Sequence, residues 1–386
     1  MPLTLSSRDS AFGPLFARTS SKAIDTSARV SRDRTMENAA RWWPGGRIGL
    51  SFVVQACQGF AARQHRRDWT TTMPQPGLSD TATGRSSGRL LVLHQDAAST
   101  GAMLVVWLEA ERWGAAEKVP DTGMCCSVGA AVFRGAVHCF HQGAGHSGDL
   151  YHNSWTANAW AGSRQVPRTG MSESPVAVVF QDLLYVFHQG WGGSGALFYN
   201  AFDGEHWSGD RQVPGSALSN SPSAVVFGHK LHVFYQSEGH HGHLRFNVFD
   251  GANWAGEASI PHTGCSESPS AAVFEGRLHV FHQGFDRSGE LYVNQHDGMD
   301  WRGDRRLRAP AIAASPAASA CGGTLHCVYQ ARGRGGQLCH DSFAGRSWSG
   351  SRDVPGMAIS ASPAAVAVTG AAMPGGPDEA RDSAPA

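Results

Sequence analysis

The sequence predicts an all-β protein, a β-propeller built from four-stranded blades. Two independent columns of residues carry this prediction, because a Gln and a Trp each recur at a spacing of 47 residues. The members are Gln95, Gln142, Gln189, Gln236, Gln283 and Gln330, and Trp113, Trp160, Trp207, Trp254, Trp301 and Trp348. A repeat of this length is typical of a supersecondary unit that buries its apolar faces only by stacking on copies of itself.

One repeat, residues 174–214, reads as four short strands rich in Val, Phe and Tyr, separated by turn residues. The predicted strands are Ser174–Phe180, Leu183–Gln189, Ala196–Phe202 and Trp207–Pro214, which we call A, B, C and D. Strand B is apolar on both faces, so both faces must be covered. Sheets covered on both sides by copies of themselves are the blades of a propeller.

The number of blades is predicted from the ends of the repeat region. Residues 46–76 resemble a worn repeat without strand A, and Ser360–Val368 is a spare strand A. Pairing these two segments would complete a seventh blade and close the ring. Six blades is the alternative if residues 46–76 do not pair. We therefore expect a disordered leader at 1–45, a propeller at 46–369 and a disordered tail at 370–386.

Composition excludes several classes of partner. The chain has 32 basic and 32 acidic residues, which argues against nucleic acid as a main ligand. No apolar run reaches the length of a membrane span, and no signal peptide is recognisable, so the localisation is left open between cytoplasm and non-classical secretion. The sequence also leaves an oligomer open.

No cofactor or metal is expected from the sequence. Most of the eight cysteines replace ordinary repeat residues one at a time, as small hydrophobic side chains would. The exception is the adjacent pair Cys125–Cys126, which stands where other repeats have Ser–Glu. No C-x-x-C pattern is present.

Candidate ligand-binding residues gather at one end of the predicted blades, where the B–C turns and the D–A links emerge. Loop groups that recur between repeats are the first candidates, and strand residues near this end are the second. The set is Glu173, Glu267, Asn220, Arg164, Arg211, His141, His188, His282, Trp160 and Trp207. A structural explanation stays open for the strand residues: the histidines could hydrogen-bond a neighbouring blade, and the tryptophans could pack between blades.

The repeat resembles that of bacterial seven-bladed propeller lectins of the fucose-binding kind. The motifs that carry the resemblance are LYVFHQG (184–190), SGALFYN (194–200) and HWSGD (206–210), and the match covers roughly residues 46–368. The resemblance implies shallow sugar sites between successive blades on one face, and glycans as partners, fucosylated ones among them. The F-D-G-x-x-W hairpin also resembles the Asp-box of sialidases, with the Asp one place off.

The polar candidates follow the repeat symmetry, whereas catalysis needs a unique constellation such as paired carboxylates. Repeated weak sites suit a multivalent binder, because linked sites raise apparent affinity without new contacts. The sequence therefore favours a carbohydrate-binding protein and not an enzyme. The alternatives are a sialidase-like glycoside hydrolase with a site on the axis, and a protein-interaction propeller.

Overall fold

The computed structural model describes residues 88–156 and 159–369. The predicted leader (1–45), the worn repeat (46–76) and the tail (370–386) lie outside these residues. The described part consists of antiparallel strands and three short 3₁₀ turns, Ala144–His146, Trp191–Gly193 and Glu238–His240. None of its helical segments is long and apolar enough to cross a membrane. The all-β prediction is confirmed.

The strands form five antiparallel sheets, and the sheet of seven strands spans two repeats, so six blades are distinguished, which we call blades 1 to 6 in chain order. Blade 1 comprises β25 (Ala364–Val368), β1 (Arg89–Gln95), β2 (Met103–Glu109), β3 (Arg112–Trp113) and β4 (Glu117–Lys118). Blade 2 comprises β5 (Gly129–Phe133), β6 (Ala136–Gln142), β7 (Leu150–Thr156), β8 (Ala159–Trp160) and β9 (Arg164–Gln165). Blade 3 comprises β10 (Met171–Phe180), β11 (Leu183–Gly190), β12 (Ala196–Phe202) and the first part of β13 (Arg211–Phe227).

Blade 4 takes its first strand from the second part of β13, which pairs with β14 (Lys230–Ser237), followed by β15 (Leu244–Phe249) and β16 (Ala258–Ser259). Blade 5 comprises β17 (Cys265–Phe274), β18 (Arg277–Gly284), β19 (Leu291–His296) and β20 (Arg305–Arg306). Blade 6 comprises β21 (Ala317–Cys321), β22 (Thr324–Gln330), β23 (Gln337–Phe343) and β24 (Arg352–Ala358). The predicted strand C of the reference repeat coincides with β12, and the predicted strand D begins four residues before β13.

The two ends of the described chain meet in blade 1. Strand β25 pairs antiparallel with β1, with Leu91 opposite Val366. The predicted seventh blade is therefore not confirmed. It required the C-terminal strand to pair with residues 46–76, and that strand is instead taken by β1 of the following repeat. The sequence could not separate these partners, because the strand B segments at 46–59 and 89–95 offer similar apolar edges.

The first strands of the blades surround a narrow axial channel. Each blade places a Ser at the channel, and the backbone N–H of one Ser donates to the hydroxyl of the next along the ring. The N-to-Oγ distance is 2.9 Å from Ser127 to Ser174 and 3.0 Å from Ser315 to Ser362. The channel holds about 160 Å³. The recurring Ser-Pro pair thus has two structural roles. Ser links neighbouring blades, and Pro either precedes the first strand or lies at the irregularity within it, where no ladder hydrogen bond is lost.

The tryptophan column packs between blades. Trp254 of blade 4 meets Phe187 of blade 3 edge to face, with ring centroids 6.1 Å apart at 90°. Trp207 contacts Phe140 of blade 2 in the same way, at 5.8 Å and 89°. Edge-to-face pairs add stabilisation beyond the area they bury. This arrangement supports the structural explanation of the tryptophans and also fixes the walls of the gaps between blades.

Candidate functional site

A cavity of about 460 Å³ opens between blades 3 and 4. This volume lies in the range of small-molecule sites. Aromatic rings from both blades line it: Tyr185, Tyr199, Trp207, Phe249 and Trp254. Strands β11, β12 and β15 carry Tyr185, Tyr199 and Phe249. Trp207 and Trp254 follow strands β12 and β15 and form single bridges to Phe202 and Phe249.

Three polar groups are set into this aromatic wall. The cavity is lined by the phenols of Tyr185 and Tyr199 and by the exposed Arg211. Burial and the neighbouring Tyr199 raise the pKa of Tyr185, and Arg211 acts in the opposite direction. Tyr185 therefore keeps its proton at neutral pH and can donate a hydrogen bond. Aromatic faces with a few convergent polar groups are the usual composition of such pockets.

Asp203 also lines the cavity, but its carboxylate serves the hairpin first. Its Oδ1 accepts hydrogen bonds from the backbone N–H of Glu205 at 2.8 Å and of His206 at 2.7 Å. These bonds lower the pKa of Asp203. Asp250 and Asp297 make the equivalent bonds in blades 4 and 5. The Asp-Gly motif thus forms the turn of a hairpin, as its sequence predicts.

A second cavity, of about 360 Å³, lies between blades 6 and 1. It occupies the equivalent place three repeats away, because its lining residues match those of the first cavity at a spacing of 141. The matched pairs are Leu183 with Thr324, Tyr185 with His326, Phe249 with Leu108, Gly251 with Ala110 and Ala252 with Glu111. The gap between blades is therefore a recurring feature whose chemistry changes from blade to blade.

Two of the ten predicted residues, Trp207 and Arg211, line the cavity between blades 3 and 4. Trp160 and Arg164 hold the equivalent positions in blade 2, where histidines replace the two tyrosines. There His138 and His152 stack at 5.0 Å and join through ring nitrogens 2.8 Å apart. Burial, His138 and Arg164 lower the pKa of His152 to about 3. Trp160 is half-buried beside Trp155 at the edge of that blade.

The predicted loop residues lie at the other end of the blades, beside the channel. Glu173, Asn220 and Glu267 share a left-handed backbone conformation, with φ of 63°, 61° and 61°. Each marks an irregularity at the start of the first strand of its blade. A non-glycine residue held in this region is uncommon and is often functional. Their distance from the cavity divides the predicted set into two groups.

The side chains of these loop residues have different neighbours. Glu173 is exposed. The amide of Asn220 donates to Oε1 of Gln236 at 2.8 Å, and Glu267 pairs with Arg287 at 3.3 Å. The three residues therefore share a backbone conformation, but their side chains have different partners in each blade.

The predicted histidines are buried inside the blades. Nδ1 of His141, His188 and His282 lies 3.1 Å from the carbonyl oxygen of the following Gln. The other ring nitrogen lies 3.2 Å from Asp210 in His188 and 3.1 Å from Asp304 in His282, and 3.3 Å from the Ser163 hydroxyl in His141. Their ligand contact stays a prediction, and the structure gives them partners within the blade.

Sequence reasoning missed several exposed or cavity-lining groups. Tyr185 and Tyr199 break the repeat columns, which hold His138 and His152 one repeat earlier, and this break was the available signal. Trp191 and Phe285 were also missed. They are 58% and 55% exposed and stand two repeats apart in the B–C turns. Exposed aromatic rings of this kind form platforms for flat or weakly polar ligands.

One further departure from symmetry lies in blade 4. Arg245 and Glu257 form an ion pair at 3.3 Å, and the Tyr235 hydroxyl donates to Glu257 at 3.0 Å. Blades 2, 3 and 5 have an aromatic residue in place of Arg245, such as Phe198 or Tyr292. The Nε of Arg245 is buried without a hydrogen-bond partner. Blade 4 therefore has a cationic group at a position where its sister blades have none.

Solved structures similar to the chain include the Aleuria aurantia lectin in complex with Fucalpha1-6GlcNAc. The TM-score is 0.52 at 17% identity, over 69% of this chain and 92% of that chain. A triple mutant of AofleA from Arthrobotrys oligospora gives a TM-score of 0.53 at 15% identity, over 74% and 91%. A mercury derivative of the fucose-specific Aleuria lectin gives 0.52 at 14% identity, over 69% and 91%. The chain has a β-propeller fold.

Residues 88–369 contain six blades. The predicted resemblance to propeller lectins is supported, whereas its bacterial and seven-bladed form is not confirmed. No family model matches the chain, and no curated protein matches it.

Proposed function

We propose that the protein is a multivalent carbohydrate-binding protein, a lectin that holds sugars in the gaps between neighbouring blades of a closed six-bladed ring. The observation that carries the proposal is the cavity between blades 3 and 4. It combines aromatic rings with two phenols and the Arg211 guanidinium. Sugars present apolar C–H faces and rings of hydroxyl groups, which aromatic faces and polar donors bind together.

Two observations support repeated binding over catalysis. The cavity between blades 6 and 1 holds the equivalent position, so several sites of graded affinity fit the ring, and linked sites raise apparent affinity. The carboxylate of the first cavity, Asp203, already accepts two backbone hydrogen bonds, which leaves it poorly placed as one of a pair of catalytic carboxylates.

Fucosylated glycans are the first ligands to test, because the similar solved structures are those of lectins bound to or specific for fucose. A glycan array with the full chain should give signal on a restricted set of glycans. Arg211→Ala should lower that signal at least tenfold at fixed protein concentration. Arg164→Ala is the matched control, since it removes the equivalent guanidinium from the gap in which His138 and His152 replace the tyrosines.

Two results would contradict the proposal. One is the absence of signal on every glycan with protein whose circular dichroism shows intact β-structure. The other is equal binding by Arg211→Ala and the unmodified chain, which would move the site away from this cavity. Cleavage of a chromogenic fucoside or sialoside, abolished by a single substitution, would favour the hydrolase alternative. Partner capture that free sugars do not reduce would favour protein interaction.

A further inference from the structure

Blade 2 carries a cluster that its sister blades lack. The ligand atoms of Cys125, Cys126 and His146 all lie within 4.8 Å of one another. The two Sγ atoms are 2.8 Å apart, and Sγ of Cys126 lies 3.7 Å from Nδ1 of His146. The cysteines are half-buried and the His is exposed. Two sulfurs and an imidazole thus converge at the end of the blade beside the axial channel.

Cys125 occupies a position at which a Ser hydroxyl accepts a hydrogen bond in three other blades. In blades 3, 4 and 5 the B–C turn donates a backbone N–H to a Ser hydroxyl at the start of the first strand. These bonds are Gly193 to Ser172 at 2.9 Å, His240 to Ser219 at 3.1 Å and Arg287 to Ser266 at 2.8 Å. In blade 2 the backbone N–H of His146 donates to Cys125 instead. The fold therefore places the thiol beside the B–C turn that carries His146.

Other neighbours hold the two thiols in place and affect their charge. Sγ of Cys125 lies 2.7 Å from Oε1 of Gln142, whose amide is itself anchored on Met171. The hydrogen bond from Cys126 and the nearby His146 lower the pKa of Cys125 to about 7. The bond to Cys125, burial and the charges of Cys125 and Glu173 raise the pKa of Cys126.

We propose that Cys125, Cys126 and His146 form a binding site for a thiophilic metal cation, with zinc as the reference ion. Thiolate and imidazole are the donors that zinc prefers, and three protein ligands leave one position for water or another ligand. Binding releases the two thiol protons to solvent, so that two thiolates neutralise the charge of Zn²⁺. The ion joins the B–C turn of blade 2 to the start of its first strand.

The test uses the full chain, reduced and freed of metal, titrated with Zn²⁺ against a chromophoric chelator. One zinc ion should bind per chain. The variant Cys125→Ser with Cys126→Asn copies Ser219–Asn220 of blade 4, so it keeps a side-chain pair that this fold already accepts. It should weaken zinc binding at least a hundredfold, and His146→Ala should weaken it at least tenfold. His240→Ala, at the equivalent position of blade 4, is the matched control and should leave binding unchanged.

A second readout does not depend on affinity. Zinc should protect Cys125 and Cys126 from alkylation, as located by peptide mass spectrometry, and it should raise the melting temperature of the unmodified chain but not of the double variant. Undiminished zinc binding by the double variant would overturn the proposal and place the ion elsewhere, for example on His240, His241 and His243. Loss of both thiols to a Cys125–Cys126 disulfide under the reducing conditions used would also overturn it.

Discussion

The side-chain amide of Gln142 donates to the backbone carbonyl oxygen of Met171 in the next blade, at 2.9 Å. The same bond joins every pair of successive blades in the described chain. Its members are Gln95–Met124, Gln189–Leu218, Gln236–Cys265, Gln283–Ile312 and Gln330–Ile359. The Gln column that first revealed the repeat is thus a set of bonds between blades, which explains why a polar residue recurs in a buried strand.

Loss of one such bond should destabilise the ring without changing its surface. In Gln189→Met the side chain keeps its length but leaves the carbonyl of Leu218 without its partner. A buried acceptor left unsatisfied costs about 1–3 kcal/mol, and the free energy of unfolding from urea denaturation should fall by that amount. Gln212→Met, at an exposed position of blade 3, is the control and should change it by less than about 0.5 kcal/mol. Equal effects of the two variants would show that the bond between blades contributes nothing.

The stability of the protein should fall in weak acid because of two histidines, His340, which is buried, and His152, which is half-buried. Burial, together with a neighbouring His and an Arg, lowers the pKa of His152 and of His340 to about 3. The unfolded state takes up a proton near pH 6.5, whereas the folded state resists until about pH 3. Stability is therefore complete above pH 6.5 and is lost as the pH falls from 6.5 towards 3. By pH 5 the loss is at most about 2 kcal/mol for each residue.

Replacement by Phe tests this account, because blade 4 already holds Phe246 at the equivalent position. Between pH 7.5 and pH 5 the free energy of unfolding should fall in both proteins. In the double variant His152→Phe with His340→Phe the fall should be smaller than in the unmodified chain, by up to about 4 kcal/mol. Urea denaturation at the two pH values measures the difference. The exposed His241→Gln serves as control. An unchanged acid sensitivity in the double variant would locate its origin in other groups.

Much of the fold could be predicted because the repeat contains residue types with strong preferences for strands or turns. Asp203-Gly204 builds the hairpin that its sequence indicates, and strand β12 has its predicted bounds. The pairing of β25 was assigned to the wrong partner, because two apolar strand B segments precede the first good repeat. Register between distant segments depends on which one folds against the sheet, and a strand pattern does not encode that choice.

The candidate site was predicted less well, for a physical reason. A gap between blades becomes a pocket or a packed contact according to a few side chains, such as Tyr185 and Tyr199 against His138 and His152. Those residues differ from repeat to repeat, so a search for recurring residues does not find them. Glu173 was selected because it recurs with Glu267, yet the structure sets it far along the blade from the cavity that holds Arg211.

The phenol of Tyr199 should contribute to sugar binding through its hydroxyl group. Tyr199→Phe keeps the ring and removes one donor, which should weaken binding by about 0.5–1.5 kcal/mol, a factor of roughly 2 to 12. Calorimetric titration with the glycan selected by the array measures this change. Tyr151→Phe is the control, because that ring stacks on His141 at the other end of a blade. Equal affinities of Tyr199→Phe and the unmodified chain would remove this phenol from the site.

The exposed ring of Trp191 should need a glycine at the position that it packs against. Gly148 has a φ of +81°, and a methyl group added there would enter the indole of Trp191 from the next blade. Gly276 has a φ of +69° with no atom within 4 Å of such a methyl group, so it carries the backbone strain without the contact. Gly276→Ala should therefore cost about 1–2 kcal/mol of the free energy of unfolding, and Gly148→Ala should cost about 1–3 kcal/mol more. Adding Trp191→Ala to Gly148→Ala should recover the extra loss, because the ring that meets the methyl group is gone. If Gly148→Ala cost no more than Gly276→Ala, the indole would have to lie away from the glycine, and blade 2 would not form its support.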